Sequence, residues 1–233
     1  MLYKLFASVG PVREDAEGFN AGRRMHGMDE EKVKSPFTLA KEQINALPLG
    51  SFEGHISVAS TWEGAERAAH SLASCHMLGF DTESKPSFKK GESHRTALLQ
   101  LSSNTHASLF RLHGTGMPPT LRRLLENPAV VKIGQGFDHE LKTLKKEHGV
   151  VGQGFIDLLH IAQRLDCTPK SVRGMAAIFL GIRVSKSAQM TNWERHRLSE
   201  KQERYAATDA WACLKIYEEI RRRGLLQAVT TKK

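Results

Sequence analysis

The sequence predicts an α/β fold in which a mixed β-sheet carries helices on its faces. Short apolar runs of strand length dominate the first part of the chain, and helical periodicity dominates the second part. A β-α-β pattern opens the ordered region and supplies the crossover that a mixed sheet needs. With 233 residues, of which 40% are hydrophobic, the chain can bury one sizeable core. We therefore expect one domain with a short extension.

The predicted domain begins at about residue 52 and opens with strands. The preceding residues 1–51 lack periodicity and mix glycine, proline and charge, which indicates an irregular N-terminal arm. A hairpin-like turn at 102–105 separates two of the strand runs. The elements predicted in this part are a strand at 55–59, a helix around 65–72, and strands at 77–81, 97–101 and 107–110.

Helices dominate from residue 118 onward. A proline pair at 118–119 opens a helix that ends before Asn127 and Pro128. Ser199 and Gln202 form the S-x-x-Q pattern of a capping box at the start of the last helix. The elements predicted here are a helix at 118–125, a strand at 130–133, and helices at about 139–147, 158–165, 172–180 and 199–223. The domain ends at about residue 227, and residues 228–233 form a basic tail.

The charge balance favours a polyanionic partner. The chain has 34 Lys and Arg against 25 Asp and Glu, a formal net charge of +9 and a pI near 9.6. A basic surface favours nucleic acid or an anionic membrane. No apolar run approaches the ~20 residues that span a bilayer, so we expect no membrane partner. The three widely spaced cysteines fit neither a disulfide framework nor a CxxC zinc site, which favours a reducing compartment. A cytoplasmic protein is expected, or a nuclear one in a eukaryote.

Two common site motifs are excluded by spacing. Gly-Gln-Gly-Phe occurs at 134–137 and again at 152–155, but neither copy has the third glycine of a dinucleotide-binding fingerprint. None of the 11 histidines lies in an HExxH pattern, since His139-Glu140 is followed by Leu, Lys and Thr. Dinucleotide binding and a zinc site of that kind are therefore not expected.

Two carboxylates lie at the end of the strand predicted at 77–81. Asp81 and Glu83 are two residues apart, so on a strand both side chains point to one face and Thr82 points to the other. Ionised carboxylates this close repel each other unless a divalent cation lies between them, and Mg²⁺ or Mn²⁺ accepts such oxygen ligands. A pair of acids that simply faces water is the alternative for this pattern taken alone.

Two further acids belong to helices. Asp138 follows the first Gly-Gln-Gly-Phe segment at the start of a helix, where the helix dipole favours an anion, and a structural N-cap explains it equally well. Tyr205 and Asp209 are four residues apart and therefore share one face of the last helix. That helix is otherwise rich in Ala, Leu and Ile, so a buried acid there needs a partner. A core tyrosine beside a solvated acid is the alternative.

In order and spacing, Asp81-x-Glu83, Asp138 and Tyr205-x3-Asp209 resemble the three exonuclease motifs of the DEDD superfamily in its tyrosine subclass. The resemblance covers roughly residues 56–226 and is greatest to ribonuclease D and to the exonuclease domain of the Werner-syndrome helicase. The sister subclass carries a histidine five residues before the last aspartate, where this chain has arginine. Further matches are Leu99-Gln-Leu101, Lys186, Asn192-Trp193-Glu194, Leu198-Ser199 and Gln202.

The resemblance implies a ribonuclease H-like fold with a mixed sheet of five to six strands flanked by helices. It implies a 3'-5' exonuclease that uses two Mg²⁺ or Mn²⁺ ions to release nucleoside monophosphates from DNA or RNA. The acids Asp81, Glu83, Asp138 and Asp209 would hold the metals, and Tyr205 would orient the attacking water. A catalytically inactive nucleic-acid-binding module and a ribonuclease H-type endonuclease are the alternatives.

Candidate nucleic-acid contacts follow the first motif and precede the last. Lysines and an arginine after the acidic pair could follow the phosphate backbone, although a solvated loop explains them equally well. Lys186 is a candidate because it matches the family run, and Trp193 could stack on a base or belong to the core. No pattern distinguishes DNA from RNA or indicates the oligomeric state. The basic loop residues are Lys85, Lys89, Lys90 and Arg95.

Overall fold

The computed structural model describes residues 35–87 and 94–227. Within these ranges the chain forms a mixed sheet with helices on both faces. Its elements in chain order are α1 (Lys41–Ala46), β1 (His55–Ala59), α2 (Trp62–Leu72), β2 (Met77–Ser84), β3 (Thr96–Ser102), β4 (His106–Arg111), α3 (Leu112–Thr115), α4 (Pro119–Glu126), β5 (Val131–Gly134), α5 (Asp138–His148), β6 (Phe155–Asp157), α6 (Leu158–Arg164), α7 (Val172–Leu180) and α8 (Glu200–Arg222).

The sheet has six strands in the order β1-β4-β3-β2-β5-β6. Strands β2, β3 and β4 form an antiparallel meander, whereas β1 pairs with β4, β5 with β2, and β6 with β5 in parallel. The expected mixed sheet of five to six strands is thereby confirmed. Strand β6 was not predicted, because three residues are too few to show an alternating pattern.

Apolar side chains cover both faces of the sheet. One face packs against α2, α4 and α5 through residues such as Leu72, Leu121 and Leu144. The other face packs against α7 and α8 through residues such as Met175 and Ile216. Strand β3 lies between these layers and is buried along its whole length, which explains its continuous apolar pattern.

Gly79 lets α8 approach β2 closely. A Cβ atom at Gly79 would lie 1.8 Å from the backbone carbonyl oxygen of Ala210 in α8, so only glycine fits at this contact. Side chains alternate along a strand, and Asp81 and Glu83 therefore point to the same face as the missing Cβ of Gly79. The glycine thus brings the acidic end of β2 against α8.

The last helix begins where the sequence predicts. The Ser199 side chain accepts a hydrogen bond from the backbone N–H of Gln202, and the Gln202 side chain accepts one from the backbone N–H of Ser199. These bonds confirm the capping box and fix the start of α8. None of the helices in the described part of the chain is long and apolar enough to cross a membrane.

Part of the segment expected to be an irregular arm is ordered. Helix α1 lies within it, and Ile44 of that helix is buried. The backbone N–H of Leu39 donates to the carbonyl of Thr168, and the N–H of Thr168 donates to the carbonyl of Phe37. For residues 35–51 the prediction is therefore corrected, since these long-range bonds leave no periodic signal in the sequence. Residues 1–34, the basic tail 228–233 and the loop residues 88–93 lie outside the described ranges.

Candidate active site

Strand β2 places two carboxylates on the face that α8 covers. Asp81 is the Cα partner of Gln100 on β3, and Glu83 is the partner of Leu98. The strand extends through Ser84, so Glu83 lies within it. The expected placement of Asp81 and Glu83 on one face is therefore confirmed.

Helix α8 supplies the facing groups. Tyr205 and Asp209 lie one turn apart on it, and they are close enough for the Asp209 carboxylate to add to burial in raising the pKa of the tyrosine hydroxyl. Carboxylate oxygens of Asp81, Glu83 and Asp209 all lie within 4.8 Å of one another. A strand and a helix that are far apart in the sequence thus build one acidic cluster, which we call the acid cluster.

Burial and mutual repulsion oppose ionisation of the acid cluster. Burial first, then the charges of Asp81 and Asp209, raise the pKa of Glu83 to about 9. The pKa of Asp209 is raised by burial and by Asp81, and that of Asp81 is raised by burial and, to a smaller extent, by Glu140. The three groups therefore cannot all be charged near neutral pH without a compensating cation. An all-oxygen set of carboxylates fits a hard divalent cation.

Asp138 does not join the acid cluster. It is the first residue of α5 and its side chain is exposed, while Phe137 occupies the N-cap position without a side-chain cap bond. The N-cap alternative is therefore wrong, and the metal-ligand role of Asp138 stays a prediction. Two residues further on, Glu140 is partly buried and acts electrostatically on Asp81, and its Oε2 atom has no hydrogen-bond partner among the described residues.

A helical pattern in the sequence distinguishes Glu140 from Asp138. Residues four apart share a helix face, so Glu140 lies on the side of Leu144 and Asp138 on the side of Lys142. Leu144 is fully buried, whereas Lys142 is exposed. The apolar position four residues later therefore identifies which acid turns toward the sheet.

Three phenylalanine rings pack against one another next to the end of β2 and the start of α5. Phe80 precedes Asp81, Phe137 lies three residues before Glu140, and Phe155 belongs to β6. The Phe80 and Phe155 ring centroids are 5.0 Å apart, and those of Phe137 and Phe155 are 5.4 Å apart. Phe137 and Phe155 are the last residues of the two Gly-Gln-Gly-Phe segments. Each segment thus contributes one ring to the apolar cluster that packs beside β2.

Trp193 lies behind Tyr205 and not in the open cleft. It is fully buried, and its ring centroid is 5.9 Å from that of Tyr205. The expectation that it stacks on a base is therefore corrected, because no face of the ring is exposed. Gln202 holds the preceding loop by donating to the Thr191 hydroxyl and to the Asn192 carbonyl. Much of the motif before Tyr205 therefore positions the tyrosine.

The basic candidates are distributed around the site. Lys85 is exposed immediately after β2, and Arg95 is exposed at the entry to β3. Lys186 is exposed on a loop, between Ser185 and Ser187, which line a cavity of about 220 Å³ together with Tyr205. Lys89 and Lys90 lie outside the described residues.

Comparison with known proteins identifies the family. A profile described as 3'-5' exonuclease matches residues 56–224, which include the acid cluster and Tyr205. The chain belongs to this exonuclease family. Exonucleases of the family use divalent metal ions, and the acid cluster provides carboxylates for such ions.

Relatives from several organisms share this region. The mouse bifunctional 3'-5' exonuclease/ATP-dependent helicase WRN is 32% identical over 186 residues, which cover 75% of this chain and 13% of that protein. Ribonuclease D of Haemophilus influenzae is 32% identical over 125 residues, which cover 53% of this chain and 31% of that protein. This exonuclease chain thus spans less than a third of the length of either relative.

Solved structures share the fold. The Nibbler exonuclease domain of Aedes aegypti has a TM-score of 0.67 and 20% identity, covering 77% of this chain and 99% of that chain. Escherichia coli ribonuclease D has a TM-score of 0.64 and 22% identity, covering 75% of this chain and 48% of that chain. The fold is therefore ribonuclease H-like, with a mixed six-stranded sheet flanked by helices.

Proposed function

We propose that this chain is a 3'-5' exonuclease that hydrolyses phosphodiester bonds at the 3' end of a nucleic-acid strand and releases nucleoside monophosphates. The observation that carries the proposal is the acid cluster, in which oxygens of Asp81, Glu83 and Asp209 lie within 4.8 Å of one another. Tyr205 on the same helix face adds a hydroxyl group to the cleft. The net charge of +9 favours a polyanionic substrate.

Mg²⁺ or Mn²⁺ is proposed as the metal, with two ions in the active form. The acid cluster contains oxygen ligands, and neither histidine nor cysteine belongs to it within the described residues, which favours a hard cation over zinc. Asp138 is proposed as the fourth acidic ligand, as the order of the motifs implies, and Glu140, whose charge raises the pKa of Asp81, is a second acid that α5 brings near the cluster. When bound, the cations would supply positive charge to the attacking and leaving oxygens.

Tyr205 is proposed to position the attacking water or the scissile phosphate. Burial, together with the neighbouring carboxylates, raises the pKa of Tyr205 far above its usual range, so its hydroxyl stays protonated. A protonated hydroxyl donates a hydrogen bond but does not act as a general base at neutral pH.

The activity is tested on single-stranded and 3'-recessed oligonucleotides with Mg²⁺ or Mn²⁺. The expected result is stepwise shortening from the 3' end, which Asp81→Ala abolishes because it removes a ligand from the acid cluster. Equal shortening by both proteins would contradict the proposed site. Binding without shortening under any metal condition would instead favour the inactive binding module.

Circular single strands separate exonuclease from endonuclease action. An exonuclease leaves a circle intact because it needs a 3' end, whereas a ribonuclease H-type endonuclease opens it. The same linear sequence, supplied as DNA and as RNA, identifies the sugar that the cleft accepts. A Trypanosoma brucei ribonuclease D of the same fold was solved in complex with RNA U12, so we propose RNA among the substrates of this chain.

A further inference from the structure

A second cavity lies beside the acid cluster, between the entry to β3, α3 and α5. Its volume is about 680 Å³, and we call it the basic groove. A volume of this size accommodates a nucleotide-sized group. The side chains that line it are mainly polar and charged, which favours a polar ligand. They include Arg95, His113, Lys142, Lys146, Glu147 and His148.

Strand β3 and helix α5 contribute residues both to the basic groove and to the surroundings of the acid cluster. Thr96 lines the groove and pairs with Ser84, while Leu98 on the same strand pairs with Glu83. At the usual rise of a strand, two residues separate these positions by about 7 Å. On α5, Lys142 lines the groove, and Glu140, two residues earlier, lies near enough to Asp81 for its charge to raise the pKa of Asp81. A nucleic-acid strand that extends from the acid cluster along β3 and α5 therefore enters the groove.

The groove carries a net positive charge. Arg95, Lys142 and Lys146 are the cations, and Glu147 is the carboxylate that faces them. Arg95 lies 3.9 Å from Glu147 with its side chain 89% exposed, so water screens this pair and the guanidinium can bind another anion.

The histidines of the groove add hydrogen-bonding groups. The pKa of His148 is lowered mainly by burial, and that of His113 by burial and by Arg111. Both shifts favour the neutral imidazole, while Arg95, Lys142 and Lys146 supply the positive side-chain charge of the groove.

We propose that the basic groove binds backbone phosphates of the substrate strand on the 5' side of the scissile bond. The inference rests on the proposed exonuclease function and assigns a substrate contact outside the acid cluster. Lysines that contact phosphates position the strand without reading its sequence, so the contact is independent of base identity.

Lys145 provides a matched control for Lys146. Both lysines are exposed and belong to the last turn of α5, but only Lys146 lines the groove. Charge reversal at either position therefore removes the same favourable interaction with the helix C-terminus. Any difference between Lys146→Glu and Lys145→Glu reports on the groove. Lys142→Glu tests the groove at a second position.

Binding is measured by fluorescence anisotropy of a labelled single-stranded oligonucleotide, with EDTA present so that no cleavage occurs. Lys142→Glu and Lys146→Glu are each expected to weaken binding about fivefold. Each should also reduce the slope of the logarithm of the binding constant against the logarithm of the salt concentration by roughly 0.7. Lys145→Glu is expected to change the affinity by less than about twofold. Equal effects of Lys145→Glu and Lys146→Glu, or no effect of either groove variant, would overturn the proposal.

A short substrate separates failure of the groove from failure of the active site. The p-nitrophenyl ester of thymidine 5'-monophosphate has one phosphodiester and cannot reach both the acid cluster and the groove. Groove variants are expected to hydrolyse it at the wild-type rate, while their KM for an oligonucleotide rises about fivefold with kcat retained. Equal losses on both substrates would contradict a groove role. If the wild-type chain cleaves neither substrate, the exonuclease proposal fails, and the EDTA binding comparison still decides the groove.

Discussion

Replacing Gly79 by alanine is expected to separate β2 from α8 and to disable the acid cluster. The new Cβ would lie 1.8 Å from the carbonyl oxygen of Ala210, whereas ordinary contact begins at 3.4 Å, so strand and helix must part by about 1.6 Å. The obstacle is backbone, which cannot rotate away as a flexible side chain can. Asp209 precedes Ala210, and Asp81 follows Gly79 by two residues. The same displacement therefore widens the gap between these two carboxylates.

The expected cost of Gly79→Ala is at least about 3 kcal/mol of unfolding free energy, because it overpacks a fully buried contact. For a domain of this size the unfolding midpoint should fall by about 6 to 12 °C. A displacement of more than 1 Å at a reacting centre should also lower kcat/KM by about 100-fold. Differential scanning fluorimetry and the oligonucleotide assay measure the two effects.

Gly64→Ala is the matched control for Gly79→Ala. Its Cβ would meet the Thr61 hydroxyl oxygen at 3.1 Å and then nothing nearer than 3.9 Å, and alanine is favoured over glycine within a helix by about 1 kcal/mol. We expect an unchanged or slightly raised midpoint and full activity. A Gly79→Ala protein with the midpoint and activity of Gly64→Ala would refute the close-contact argument.

Three further perturbations separate the roles of the site residues. Tyr205→Phe should lower kcat about 100-fold while the affinity for Mn²⁺, followed by calorimetry, stays unchanged, since the hydroxyl is proposed to position the water and is not a member of the acid cluster. Asp138→Asn should lower activity at least about tenfold because it removes the proposed fourth ligand, and a larger loss with Glu140→Gln than with Asp138→Asn would assign that role to Glu140. With EDTA present, the protein should lose at least roughly 10 °C of its unfolding midpoint as the pH rises from 4.5 to about 9, because the folded state retains a proton on Glu83 that the unfolded chain releases. Added Mn²⁺ should reverse that loss. A midpoint that rises over this range would contradict the raised pKa of Glu83.

Local patterns predicted the elements that carry the site. Strand alternation placed Asp81 and Glu83 on one face, and a four-residue spacing placed Tyr205 and Asp209 on one helix face. Both patterns depend only on the geometry of a single element. For the same reason the capping box at Ser199 gave the start of α8 correctly.

Contacts between distant segments were not visible in the sequence. Asp138 was assigned from the order of the family motifs, whereas the helix face of α5 that meets the sheet decides how Asp138 and Glu140 are placed. Burial of Trp193 depends on its contact with Tyr205. The need for glycine at position 79 arises from Ala210, which lies more than a hundred residues away. The contacts of Trp193 and Gly79 leave no local pattern in the sequence, whereas the spacing of Glu140 and Leu144 indicates the side of α5 that meets the sheet.

The ring contact of Phe80, Phe137 and Phe155 divides the site into two parts that differ in their tolerance of change. The separation of Asp81 from Asp209 depends on a backbone contact that admits only glycine, so it cannot adjust by a change of side-chain rotamer. The start of α5, which carries Asp138 and Glu140, is in contrast placed by an apolar ring cluster, and such packing accommodates rings and side chains of different size. Substitutions within the ring cluster are therefore expected to shift the acids of α5 while Asp81, Glu83 and Asp209 keep their separation.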